Sequence, residues 1–157
     1  MAGTLNIGDP APAFAFTAAD GSPLTNAACM GRKVILYFYP KDDTSGCTKE
    51  AIDFNRLKTD FTACDAIVIG VSPDSAKSHE KFKAKHGLDL DLGSDESTDM
   101  LQAYGVWAQK SMYGRKYMGV ERTTVLVGRD GAVAKLWPNV KVPGHAEEVL
   151  EAARALP

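Results

Sequence analysis

Apolar side chains fall along this chain in two rhythms. Val34-Ile35-Leu36-Tyr37-Phe38-Tyr39 and Ala66-Ile67-Val68-Ile69-Gly70-Val71 are unbroken apolar runs without alternation, the pattern of strands covered on both faces. Pro40 closes the first run and Ser72-Pro73 the second. Between them Ala51, Phe54, Leu57, Lys58 and Phe61 share one face of a helix that begins at Cys47, with the Lys58 stem able to lie along apolar surface. A second helix is predicted from a cap at Asp74 or Ser75 to His86, where Gly87 supplies the stop. Shorter segments surround these. Phe14-Ala15-Phe16-Thr17, Asp20-Gly21 and Pro23-Leu24 spell a hairpin, because Asp-Gly accepts the positive φ angles of a tight turn. Residues 88–92 alternate as a short strand, and residues 97–104 make a short helix ended by Gly105. Residues 106–120 have no clean period and carry Gly114 and Gly119, which predicts a loop. Strands at 122–127 and 133–137 flank an Asp130-Gly131 turn, and residues 145–156 form a closing amphipathic helix.

Two buried strands joined by a helix, then a hairpin and a final helix, place the chain in the α/β class. The expected architecture is a thioredoxin-like fold, a central mixed sheet flanked by helices with an N-terminal β-hairpin. No repeat or linker-like shift in composition divides it, so residues 1–157 are expected to form a single domain, and 45% hydrophobic residues suffice for its core. Eighteen basic against 20 acidic residues, well mixed, offer no electrostatic footprint for a nucleic acid or an anionic membrane. The longest apolar run is too short to span a bilayer, and the first ten residues lack a basic and an apolar export region. A soluble, cytoplasmic protein is expected, with no nucleic-acid or membrane partner. Three cysteines, Cys29, Cys47 and Cys64, are an odd number, so at least one is a free thiol under reducing conditions.

Cys47 is the cysteine with chemistry around it. A thiol is a nucleophile only as its thiolate, which the unfilled N–H groups at a helix start favour. In the polar loop before it, the Thr44 hydroxyl can donate and accept, and Gly46 lets backbone approach a small ligand closely. A peroxide needs a nucleophilic sulfur on one oxygen and hydrogen-bond donors for the charge that leaves on the other, and this loop supplies both. Other cysteine chemistries lack their partners. Glu50 stands where a Cys-x-x-Cys oxidoreductase has its second cysteine, and Asp53 where a cysteine phosphatase has its arginine. His79, His86 and His145 lie in charged helical stretches, where a solvated surface role is expected rather than a protease dyad, and no close Cys or His pair marks a zinc site.

Pro40-Lys41-Asp42-Asp43-Thr44-Ser45-Gly46-Cys47 resembles the Pro-x-x-x-Thr-x-x-Cys signature of peroxiredoxins, and the run from Tyr37 through Ala51 resembles their bacterioferritin comigratory protein (peroxiredoxin Q) subfamily. Gly8-Asp9-Pro10-Ala11-Pro12-Ala13-Phe14, Gly70-Val71-Ser72-Pro73-Asp74-Ser75 and Gly144-His145-Ala146-Glu147-Glu148-Val149-Leu150 extend the resemblance over nearly the whole chain. It implies a thiol-dependent peroxidase that reduces hydrogen peroxide and organic hydroperoxides through a Cys47 sulfenic acid. It also implies that Thr44 hydrogen-bonds peroxide and sulfur, that Pro40 shields the pocket, and that Arg122, within Gly119-Val120-Glu121-Arg122-Thr123-Thr124, stabilises the thiolate and orients substrate. Glu50, one helical turn after Cys47, joins the substrate pocket on the same grounds, with an exposed helical position as its other reading, and Gly46 joins it through its close backbone approach. No cofactor or metal is implied. Thioredoxin, or glutaredoxin with glutathione, is the expected reductant, and a monomer the expected state.

The chain departs from that pattern at two points. Ser45 stands where the subfamily has proline, and neither usual place for a resolving cysteine holds one: the position five residues after Cys47 is Ile52, and Ser78-His79-Glu80-Lys81-Phe82-Lys83-Ala84-Lys85 on the next helix contains none. Two readings follow: a one-cysteine mechanism completed by an external thiol, or an unusual resolver drawn from Cys29 or Cys64. A helix of some 15 residues would put Cys64 roughly 20 Å from Cys47, far beyond disulfide reach. The competing non-enzymatic reading is a redox-sensing or chaperone-like binding protein that recruits a partner when Cys47 is oxidised.

Overall fold

The computed structural model describes residues 5–18 and 20–157. β1 (Ala15–Thr17) and β2 (Pro23–Thr25) pair antiparallel as the predicted N-terminal hairpin, and the Thr25 hydroxyl caps the single turn α1 (Asn26–Cys29). The two unbroken apolar runs become β3 (Lys33–Phe38) and β4 (Ala66–Ser72), parallel partners at the heart of the molecule. The predicted helix between them starts two residues before Cys47, as α2 (Ser45–Arg56), and breaks at Leu57, beyond which α3 (Lys58–Ala63) follows. At the break the Leu57 N–H is shared between the carbonyls of Asp53 and Phe54. The predicted apolar face survives it, since Ala51, Phe54, Leu57 and Phe61 are all buried.

Next comes α4 (Ala76–His86), capped by the Ser75 side chain, which accepts from the Ser78 N–H, and stopped at Gly87 with φ 62°. β5 (Asp91–Ser94) lies later than the alternation at 88–92 predicts. Leu88 and Leu90 are buried in the core, and pairing with β4 begins only where Ile69 meets Asp91. After α5 (Asp99–Ala103), the stretch predicted as a loop is a second hairpin, β6 (Trp107–Met112) and β7 (Arg115–Val120), in register from Trp107–Val120 to Met112–Arg115. Tyr113 (φ 51°) and Gly114 (φ 80°) supply the two positive φ angles of its turn. Its strands pair with each other and not with the main sheet, and most of their side chains are exposed, so neither an apolar run nor an apolar face marks them. β8 (Thr123–Val127), β9 (Val133–Trp137) and α6 (His145–Ala155) complete the chain.

The main sheet runs β5-β4-β3-β8-β9, parallel from β5 to β3 and antiparallel from β3 to β9. Alternate residues of β3 feed two cores. Ile35, Tyr37 and then Tyr39 pack with α2, α3, α6 and Phe82 of α4, while Val34, Leu36 and Phe38 pack with the first hairpin, α1, α5 and the base of the second hairpin. Lys33 at the start of β3 is itself buried. Its ammonium donates to the Ala153 carbonyl (2.7 Å) in the last turn of α6, where the helix dipole favours a cation. None of the helices among the described residues is long and apolar enough to cross a membrane.

Candidate active site

Pro40, half-buried, ends β3 and turns the chain into a four-residue loop that re-enters helix at Ser45. Thr44 is the N-cap residue of α2, exposed, and its hydroxyl donates to the Lys41 carbonyl (2.9 Å) rather than capping the helix. The first helical bond of α2 runs from the Thr48 N–H to the Thr44 carbonyl (2.8 Å). The N–H groups of Ser45, Gly46 and Cys47 therefore precede the helical ladder and point their positive ends toward the loop. Cys47 sits in this turn with only 1% of its surface exposed.

Arg122 comes to Cys47 from across the sheet. It immediately precedes β8, whose Thr123 pairs with Phe38, so the antiparallel register sets Arg122 opposite Tyr39, where the chain leaves β3 for the loop. Its Nη2 donates to Cys47 Sγ (3.3 Å) and its Nη1 to Glu50 Oε1 (2.6 Å). One planar guanidinium thus spans two side chains three residues apart on α2. Gly46 makes room for it: a Cβ there would stand 3.3 Å from Arg122 Nη2. The close neighbour that the structure shows at Gly46 is the guanidinium.

Glu50 is not an exposed helical residue. It is 1% exposed, and its second oxygen, Oε2, is buried without a hydrogen-bond partner. Burial pushes its carboxyl up to about 7, against the opposing pull of Arg122. Burial also works against the Arg122 charge, but Glu50 and Cys47 beside it move the balance upward. The structure therefore brings Cys47, Arg122, Glu50 and Gly46 together, with Thr44 and Pro40 on the loop that leads to them.

The expectation that all three histidines are solvated holds in part only. His86 is half-buried and meets Asp43 (2.8 Å), but His79 and His145 are buried. His145 Nε2 lies 2.8 Å from the Thr124 hydroxyl, and burial lowers its pKa. His79 bonds Asp42 of the loop (2.7 Å). Their spacing carried the signal: His79 with Phe82, and His145 with Val149, fall on one helical face each, i to i+3 and i to i+4. Tyr39, Ser78 and His79, which converge on Asp42, have no comparable joint signature along the chain.

The other cysteines lie elsewhere. All three are free thiols. Cys29 is buried in the core on the opposite face of the sheet from Cys47. Cys64 follows α3 and donates its S–H to the Phe61 carbonyl (3.3 Å), close to Ala66, which pairs with Lys33 at the far end of β3. The length of β3, roughly 17 Å, separates it from the Cys47 loop. Among the described residues no group of three or more His, Cys, Asp or Glu side chains gathers as a metal site.

Residues 7–136 match the AhpC/TSA family. A putative peroxiredoxin bcp of Coxiella burnetii is 43% identical over 147 residues, covering 94% of this chain and 97% of the relative. Peroxiredoxin Bcp of Bacillus subtilis is 42% identical over 148 residues, covering 94% of each. Among solved structures, the bacterioferritin comigratory protein of Xanthomonas campestris, studied for alkyl peroxide reduction, superposes with a TM-score of 0.85 at 39% identity over 96% of both chains. A cysteine-to-serine mutant of Xylella fastidiosa PrxQ gives a TM-score of 0.88 at 38% identity over 98% of both.

Proposed function

The chain belongs to the AhpC/TSA family, beside the Bcp peroxiredoxins, and is a thiol-dependent peroxidase; from that premise we propose that Cys47 is its reacting sulfur and that it works by a one-cysteine mechanism. The observation that carries this reading is the Arg122 guanidinium held between Glu50 Oε1 and Cys47 Sγ at the first turn of α2. The sulfur's electron pair forms an S–O bond as the peroxide O–O bond breaks. Cys47 becomes a sulfenic acid, and the departing oxygen takes a proton to leave as water or alcohol. Arg122 and the first-turn N–H groups stabilise the negative charge that passes from sulfur to the departing oxygen. With its proton given to the Lys41 carbonyl, the Thr44 hydroxyl offers lone pairs that accept from the peroxide O–H. Gly46 leaves space for the guanidinium, and Pro40 walls the pocket at the end of β3.

An external thiol then attacks the sulfenic sulfur, forming an S–S bond and releasing water, and a second thiol reduces that mixed disulfide. Support for an external thiol comes from the placement of Cys29 across the sheet and Cys64 at its far end. The protein reductant is thioredoxin, or glutaredoxin with glutathione, and side-by-side turnover with the two systems separates them. The deciding experiment for the site is peroxide turnover with dithiothreitol. Cys47→Ser is expected to abolish it while Cys29→Ser and Cys64→Ser retain it, and turnover by the Cys47→Ser protein overturns the assignment.

A further inference from the structure

The Asp42 carboxylate gathers three donors from two directions. Tyr39 Oη donates to Oδ1 (2.6 Å), Ser78 Oγ donates to Oδ2 (2.8 Å), and His79 Nδ1 lies 2.7 Å from Oδ2. Asp74 Oδ2 in turn accepts from the Asp42 N–H (2.8 Å) and the Ser72 hydroxyl (2.7 Å). Both partners of the Asp42–His79 pair are shut away from solvent, with side chains 4% exposed. The other ring nitrogen, Nε2, lies 3.0 Å from the Gly93 carbonyl of β5.

The partners of the ring limit where its protons can be. A backbone carbonyl only accepts, so Nε2 carries a hydrogen. An ionised carboxylate only accepts too, and the hydrogen bonds from His79, Tyr39 and Ser78 outweigh burial and hold Asp42 below the ordinary carboxylate range. Tyr39, 3.3 Å from Nδ1, commits its one proton to Asp42. The charged and titratable groups facing His79 are thus Asp42 from the loop and Tyr39 from the end of β3, with Asp74 behind the Asp42 backbone.

We propose that His79, an imidazolium donating from both ring nitrogens to the Asp42 carboxylate and the Gly93 carbonyl, is a positioning residue for the loop that carries Thr44 into the first turn of α2. The clamp joins three separate elements, α4, β5 and the loop, two residues before Thr44 and five before Cys47. An exposed tie beside it, from Lys85 Nζ and His86 Nε2 to Asp43, runs between the same helix and the same loop. The inference rests on Cys47 as the reacting sulfur.

Two measurements test it. Side-chain proton–nitrogen NMR of histidine-labelled protein at neutral pH is expected to find a proton on both nitrogens of His79, and one bare nitrogen overturns the proposal. Stopped-flow oxidation of Cys47 by hydrogen peroxide is expected to slow by about 10- to 100-fold in His79→Asn and in Asp42→Asn, the scale of an ångström-level misplacement of reacting groups. Native near-UV circular dichroism accompanies this loss. Folded variants whose oxidation rate stays within about twofold of the parent overturn the positioning role. Continued peroxide turnover by Cys47→Ser would instead strike the site assignment and leave the NMR result standing.

Discussion

At the scale of single residues, Glu50 shows two opposed effects. Its carboxylate is paired with Arg122 at 2.6 Å, which favours the charge, yet it is buried with Oε2 unpartnered, which opposes it, and burial wins. The folded protein therefore holds a proton that the unfolded chain has already lost between pH 4.5 and about 7. Stability from this group is greatest below pH 4.5 and declines as pH rises to about 7, by on the order of 3 kcal/mol across that window. Glutamine keeps a carbonyl for Arg122 and removes the titration. Urea unfolding at pH 4.5 and pH 7 should show the parent losing about that much relative to Glu50→Gln. A constant difference between the two proteins would mean that the Arg122 pairing keeps Glu50 ionised throughout. His145, depressed by burial, titrates in the opposite sense, adding stability as pH rises through the ordinary histidine range, and it cancels in the comparison because both proteins carry it.

At the scale of elements, the first turn of α2 sets helix propensity against site geometry at Gly46. Replacing glycine by alanine in a helix adds about 0.5–1 kcal/mol of stability. The new Cβ, however, would stand 3.3 Å from Arg122 Nη2, so the guanidinium must give by a few tenths of an ångström. Gly46→Ala is expected to melt at or slightly above the parent temperature while Cys47 reacts with peroxide about tenfold more slowly, as seen by thermal denaturation beside stopped-flow oxidation. Equal rates would show that the guanidinium has slack. These elements were legible to different degrees, for physical reasons. Buried strands announce themselves by apolar runs, so β3 and β4 were found nearly residue for residue, and so was α4, with its serine cap and glycine stop. The β6–β7 hairpin buries too little to leave a period, and its turn uses Tyr113-Gly114 in place of the usual asparagine or aspartate. Within the site, the loop and Cys47 were legible as a local motif. The burial of Glu50 and the His79–Asp42 clamp depend on what packs across from them, which the local sequence does not contain.

At the scale of the whole molecule, the sheet keeps Cys29 and Cys64 apart from Cys47. Cys29 and Cys47 face different cores, and Cys64 lies a strand's length away, so closing a disulfide from either would require opening the sheet or unwinding α2 and α3. One equivalent of peroxide should therefore leave a Cys47 sulfenic acid that a dimedone-type reagent captures in high yield, read by intact-protein mass spectrometry. An internal disulfide without dimedone adduct would overturn the one-cysteine mechanism.

The position of Arg122 also has a consequence for the order in which the protein becomes competent. The sulfur and the guanidinium are 75 residues apart in the chain, and they meet only through the pairing of β8 with β3, a contact of long loop closure that forms late relative to local helices. During synthesis the thiol emerges well before the arginine, and a nascent chain that has folded only as far as β4 and α4 holds a cysteine with no guanidinium beside it. If Cys47 is the reacting sulfur and Arg122 activates it, as proposed, reactivity toward peroxide is tied to completion of the native sheet, and an unfinished or misfolded copy is spared rapid oxidation at Cys47.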